Sequence, residues 1–181
     1  MIELLRRQGY AATGMNDLVR AAKAPTGSIY HHFPGGKREV AAVALREAGA
    51  AYAELIPLLL DPYEDLAEGI AAAFVAAGEQ LAGTGWANMC PVGSVAAEVC
   101  DVEPALREVA VEVMTSWVQR GERYLTGRGL AEADARAVIL ALLSALEGGF
   151  VLARTTRSTE SLDAAGRGLA SWVGSLRPVS A

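Results

Sequence analysis

The chain has 181 residues, 52% of them hydrophobic, with a formal net charge of −5 and a mean hydropathy of +0.25. That much apolar material excludes a disordered polyelectrolyte and allows a sizeable core. The start, Met1-Ile2-Glu3-Leu4-Leu5-Arg6-Arg7, lacks a signal peptide's apolar core, and the longest weakly charged apolar run, residues 137–153, is broken by Glu147 and falls short of the ~18–20 residues of a membrane span, so a cytoplasmic protein with no membrane partner is expected.

Alanine and leucine dominate and period-two alternation is absent, which predicts an all-α fold. Three short helices are expected over about 1–8, 15–22 and 26–33. Gly9 closes the first, Thr13 or Gly14 opens the second, and Lys23-Ala24-Pro25 turns into the third. After Pro34-Gly35-Gly36 a long helix is expected to about residue 59, bent near Pro57. Asp61-Pro62-Tyr63-Glu64 reads as a helix start, with an Asp cap and Pro at the first position. The helix it opens carries Leu66, Ile70, Phe74, Ala77 and Leu81 at spacings of three and four. A short helix near 92–100 follows, then one from Pro104 with Leu106, Val109, Val113 and Trp117 on one face. Two more are expected over about 131–155 and 158–176, the last capped by Ser158. This makes about nine helices: a three-helix head, a long connecting helix and a bundle. The division is expected as 1–46, a helix-turn-helix head, and 47–181, a ligand-binding and dimerisation body.

The negative net charge hides an asymmetry. Residues 1–46 hold seven basic and three acidic side chains, a net of +4; the remainder holds nine basic and 18 acidic, a net of −9. A basic head on an acidic body fits a polyanionic partner better than the global charge suggests. Two short helices joined by a tight turn form a helix-turn-helix, whose second helix enters the DNA major groove. On the third helix, Ile29 and Phe33 share a face, with Leu18 and Val19 as partners. Gly27, Ser28, His31 and His32 face the other way, with Tyr30 at the border. That outward set is short and rich in hydrogen-bonding groups, as contact with base edges and phosphates requires.

Other chemistries fit less well. Adjacent histidines on a helix diverge by ~100°, so His31 and His32 make a poor metal pair, and no patterned nucleophile accompanies them. Gly35-Gly36-Lys37 fails as a phosphate loop, since His31 stands where a glycine is needed and Arg38 where Ser or Thr is needed. Lys37 reads instead as a phosphate contact at a helix start. Cys90 and Cys100 lack zinc spacing and are expected to be reduced, partly buried thiols. Neither a metal nor a cofactor is expected, nor catalysis.

The stretch GYAATGMNDLVRAAKAPTGSIYHHFPGGKREV, residues 9–40, resembles the DNA-binding head of the tetracycline-repressor (TetR) family: a Gly-aromatic pair, a threonine before helix two, and a G-[ST]-[LI]-Y-x-[HY]-F core with a lysine beyond. The body resembles the LmrA/YxaF-like branch through MCPVGSVAAEV, residues 89–99, ahead of a long helix carrying Trp117. The resemblance implies DNA contact from Thr26, Gly27, Ser28, Tyr30, His31 and Lys37, with His32 at the phosphate edge. Two departures stand out. Lys23 replaces the usual turn glycine, which costs about 1 kcal/mol if the backbone there is left-handed, and Pro25 replaces the usual serine cap.

In the body, Val138, Leu142, Leu146 and Phe150 form one apolar row and Ile139, Leu143 and Val151 another. Leu162, Leu169, Trp172, Val173 and Leu176 line the last helix. A helix apolar around most of its circumference needs partners on two sides; with the resemblance, this implies a homodimer through the last two helices, about 131–155 and 158–176, with Gly148, Gly149, Gly166 and Gly168 permitting close approach. Tyr52, Phe74, Trp86, Asn88, Met89, Cys90, Met114, Trp117 and Val118 read equally as core or as an adaptable pocket; the resemblance implies a small-molecule effector site there. The function expected is a transcriptional regulator, a repressor that binds a palindromic double-stranded DNA operator as a dimer and leaves it when a small apolar or aromatic effector swings the 37–59 helix. The alternative is a helical small-molecule-binding protein or enzyme with no DNA-linked function.

Overall fold

The computed structural model describes residues 1–99 and 101–176; Cys100, one of the two expected thiols, lies outside them. Among the described residues there are ten helices and no strand: α1 (Ile2–Gln8), α2 (Met15–Ala22), α3 (Thr26–His32), α4 (Gly36–Ala53), α5 (Leu55–Leu60), α6 (Leu66–Gly83), α7 (Pro91–Val99), α8 (Pro104–Gly127), α9 (Glu132–Thr156) and α10 (Glu160–Ser175). The all-α expectation holds. The extra helix comes from Pro57. Its ring conflicts with the carbonyl four residues earlier, that of Ala53, and Ala53 is where α4 stops.

Two compact units are present, Met1–Ala51 with Asn88–Met114, and Tyr52–Ala87 with Thr115–Ala181; the three divisions fall near the end of α4, between α6 and α7, and within α8. In the first unit Gly9, at φ 75°, ends α1, and its carbonyl accepts the hydroxyl of the fully buried Thr13 at 2.6 Å. Thr13 is thereby spent on α1, and Gly14 begins α2, its N–H bonded to the Asp17 carboxylate at 3.0 Å. Leu5, Leu18, Ile29, Leu45, Val92, Val95, Val99 and Leu106 form the buried interior of this unit. Val19 and Phe33, expected beside Ile29 and Leu18, are half-buried. A two-pronged hydrogen bond from Arg46 on α4 to Glu112 on α8 ties the outer edge and pulls the Glu112 carboxyl below its usual range.

Lys23 closes α2 in the left-handed region, φ 51° and ψ 34°. A side chain there costs about 1–2 kcal/mol, and glycine would return about 0.5–1 kcal/mol of that as lost chain entropy. Lys23→Gly is therefore expected to raise stability by about 0.5–1 kcal/mol, seen as a higher urea midpoint at unchanged slope. An unmoved midpoint would show that the turn is unstrained.

In the second unit, Leu60, Ile70, Phe74, Leu81, Leu125, Val138, Ile139, Leu162, Leu169 and Val173 make the core. α6 and α10 lie against each other where Gly166 faces Phe74: a Cβ on Gly166 would stand 2.6 Å from the Phe74 Cβ. Gly149 similarly admits Leu162, whereas Gly148 and Gly168 border open space. The expected helix start at Asp61-Pro62 is displaced by four residues. Asp65 caps α6, accepting the Ala67 N–H at 2.7 Å. Asp61 accepts the Tyr124 hydroxyl at 2.7 Å instead, and Arg128 gathers the carbonyls of Leu60, Tyr63 and Glu64. Those bonds hold residues 61–64 as a loop. The N-cap of the last helix is Thr159, one residue beyond the expected Ser158, whose hydroxyl accepts the Glu160 N–H at 3.2 Å.

The run at 137–153 sits within a longer helix than its own length suggested. By length and composition alone α9 is long and apolar enough to cross a bilayer, yet only 22% of its most apolar window is buried inside the chain. Leu140, Val151 and Leu152 are exposed on it.

Candidate nucleic-acid interface

The turn before α3 is built by Pro25, whose fixed φ of −59° places its carbonyl to accept the Ser28 N–H at 3.0 Å. Seven residues of helix follow, too few to be stable alone; Ile29, buried at 9% exposure, anchors them. Around that anchor Thr26, Gly27, Ser28, Tyr30, His31 and His32 are all exposed. A Cβ at Gly27 would meet nothing within 4 Å, so a partner surface can approach the backbone there closely. The two imidazoles stand edge to face, 5.3 Å between centroids. Tyr30 is 47% exposed. The side chains expected to face outward are exposed; of the pair expected to face inward, Ile29 is buried and Phe33 half-buried.

Lys37 is less free than the sequence suggested. It lies in the first turn of α4 with its Nζ 4.0 Å from the centroid of the buried Tyr10 ring, a cation–π contact. Burial, with the Glu103 charge adding, raises the Tyr10 phenol pKa, against an opposing pull from Arg38. Tyr10 in turn is gripped from α7: Glu98 accepts the N–H groups of Tyr10 at 3.2 Å and Ala11 at 2.7 Å. Neither residue stands out in the sequence. Tyr10 is visible there only as half of the Gly-aromatic pair, and Glu98 only as a letter in the 89–99 motif, 88 positions from the amide it binds.

The nine residues expected to meet an effector fall in two groups. Asn88, Met89, Cys90 and Met114 belong to the first unit; Tyr52, Phe74, Trp86, Trp117 and Val118 belong to the second. In the first, Met89 donates its N–H to the Arg6 carbonyl at 3.1 Å, and Cys90 is buried, its Sγ accepting the Gly93 N–H at 3.3 Å. The Asn88 Oδ1 is buried with no hydrogen-bond partner. In the second, the Tyr52 and Trp117 rings pair at 6.1 Å with a 52° tilt. Phe74 is a core residue, and Trp86 and Val118 pack against that core. A cleft of about 180 Å³ opens in this unit between Ala53, Glu54, Ile56, Pro57, Arg120, Arg123 and Tyr124, lined by none of the nine. Among the described residues no three His, Cys, Asp or Glu side chains gather as a metal site.

Residues 2–44 match the family described as bacterial regulatory proteins, tetR family, and residues 67–168 match the C-terminal domain of LmrA/YxaF-like transcriptional regulators. The chain belongs to the TetR family of transcriptional regulators. Among relatives, it is 35% identical to the HTH-type transcriptional regulator YxaF of Bacillus subtilis over 88% of this chain and 83% of that protein. To LmrA of the same organism it is 33% identical, over 88% and 85%. A crystal structure of regulatory protein TetR from Rhodobacter sphaeroides superposes with a TM-score of 0.81 at 22% identity, covering 94% of this chain and 93% of that one, which concerns the fold alone. For this TetR-family regulator the exposed face of α3 lies inside the matched N-terminal region, and the α6–α10 core falls largely inside the matched C-terminal one.

Proposed function

We propose that this regulator is a cytoplasmic repressor that binds a palindromic operator as a dimer, with Thr26, Gly27, Ser28, Tyr30 and His31 meeting the major groove and His32 and Lys37 meeting phosphates. The observation that carries the reading is the exposed polar face of α3 standing on buried Ile29. The positive balance of residues 1–46 supports it, because neutralising phosphates supplies most of the sequence-independent affinity. Dimerisation through α9 and α10 is supported by the apolar surface that α9 leaves unburied, and two-fold pairing is the arrangement that reads two half-sites.

Release by a small apolar or aromatic effector is the second half of the proposal. It is supported by the Tyr52–Trp117 ring pair in the second unit, beside which Trp86 and Val118 of the same unit are the proposed lining. Such a molecule shifts the regulator only by its difference in affinity for the two states.

Selection of duplexes from random DNA, followed by mobility shift, tests the reading. Lys37→Ala and Tyr30→Ala are expected to weaken binding across sequences, and Lys37→Ala to lower the salt slope by about 1 for each phosphate no longer neutralised. Ser28→Ala is expected to change which sites are preferred. Recovery of no consensus, or full affinity in all three variants, would overturn it.

A further inference from the structure

Helix α7 reaches the proposed phosphate contact through two short steps. Its Glu98 carboxylate accepts both amides that follow Gly9, those of Tyr10 and Ala11. Gly9 makes this possible: its φ is 75°, and a Cβ there would fall on the Glu98 carboxylate. The same segment grips α1 a second time, through the Met89 N–H on the Arg6 carbonyl. Tyr10 is therefore fixed at its backbone, and its buried ring carries the Lys37 ammonium at 4.0 Å. An ammonium over a ring face turns only part of its three N–H groups toward the ring. A donor of Lys37 is left for a phosphate while its long, otherwise flexible stem is restrained.

We infer that Glu98 is a positioning residue for DNA contact: it holds Tyr10, and through the Tyr10 ring it holds Lys37 where a backbone phosphate is met. The inference rests on the reading of Lys37 as a phosphate contact given above. It assigns a task to the 89–99 motif, which lies outside the matched N-terminal region: the segment braces the DNA-reading head. Restraining Lys37 before binding removes part of the ordering cost of each contact.

The test uses the full chain and a duplex recovered by selection, with affinity measured across a salt series for wild type, Lys37→Ala, Glu98→Ala, Glu98→Gln, Tyr10→Phe and the Glu98→Ala/Lys37→Ala double variant. Lys37→Ala should lower the slope of log affinity against log salt by about 1 per protomer. Glu98→Ala should lower it by a comparable amount, and adding Lys37→Ala to it should change little more, as coupled residues require. Tyr10→Phe, which keeps the ring face, should retain the wild-type slope. Amide exchange at Tyr10 and Ala11 should quicken in Glu98→Ala. If that variant does not fold, Glu98→Gln, with one acceptor oxygen left, carries the same test and should fall between it and wild type.

A Glu98 variant with wild-type slope, or with a deficit that simply adds to that of Lys37→Ala, overturns the inference even if its melting temperature drops, because a merely structural brace changes stability and leaves the number of phosphates met by the protein alone. An unchanged slope in Lys37→Ala overturns it too. A wild-type chain with no salt-dependent duplex binding overturns the DNA reading itself and this inference with it.

Discussion

The double substitution Leu140→Glu/Val151→Glu is expected to convert the protein to a folded monomer and to remove most operator binding. Leu140 and Val151 lie eleven residues apart on α9, three helical turns within about 20° of the same line, and both are exposed. Gly148, about 60–80° round the helix from that line, borders open space. A two-fold axis would place each substitution in the interface twice. Stranding a buried charge without a partner costs about 3–5 kcal/mol, so dimer affinity should fall by at least two orders of magnitude. Sedimentation velocity gives the mass and circular dichroism checks that helicity is kept. A variant that stays dimeric with unchanged operator affinity would remove α9 from the interface.

Phe74→Ala should be the most damaging single change in the body. Phe74 is 1% exposed, at the point where α6 meets Gly166 of α10. Truncating such a ring costs about 3–5 kcal/mol, a large share of the ~5–15 kcal/mol that holds a domain together. Gly166→Ala would not fill the gap that the truncation leaves, since its Cβ would stand 2.6 Å from the Cβ that position 74 keeps. Urea unfolding should show the midpoint falling. A mild loss of stability, with effector response abolished, would instead place Phe74 on a ligand.

How far the sequence disclosed all this depends on the range of the interaction. The α3 face is readable because a seven-residue helix with one buried anchor, Ile29, leaves its other side chains outside by geometry alone. The strained turn is readable because Lys23 stands where a glycine is usual. The start of α6 is misplaced in the sequence reading because Asp61-Pro62 carries every local cap signal, and what overrides it is remote: Tyr124 and Arg128 bind residues 60–64 from more than sixty positions away. Glu98 is hidden for the same reason, its partners Tyr10 and Ala11 being almost half a chain distant. The nine aromatic, sulfur-bearing and polar residues of the body can be sorted only in three dimensions, where Phe74 joins a core and Tyr52 and Trp117 pair.

The discontinuity of the first compact unit bears on synthesis. When Ala51 has left the ribosome, Val92, Val95, Val99 and Leu106, each at most 1% exposed in the finished unit, have not been made. A nascent chain must reach Met114 of its 181 residues before that interior can close. Until then the first helices lack much of the apolar surface that holds them, and an early-terminated product would be one for chaperones and proteases to clear.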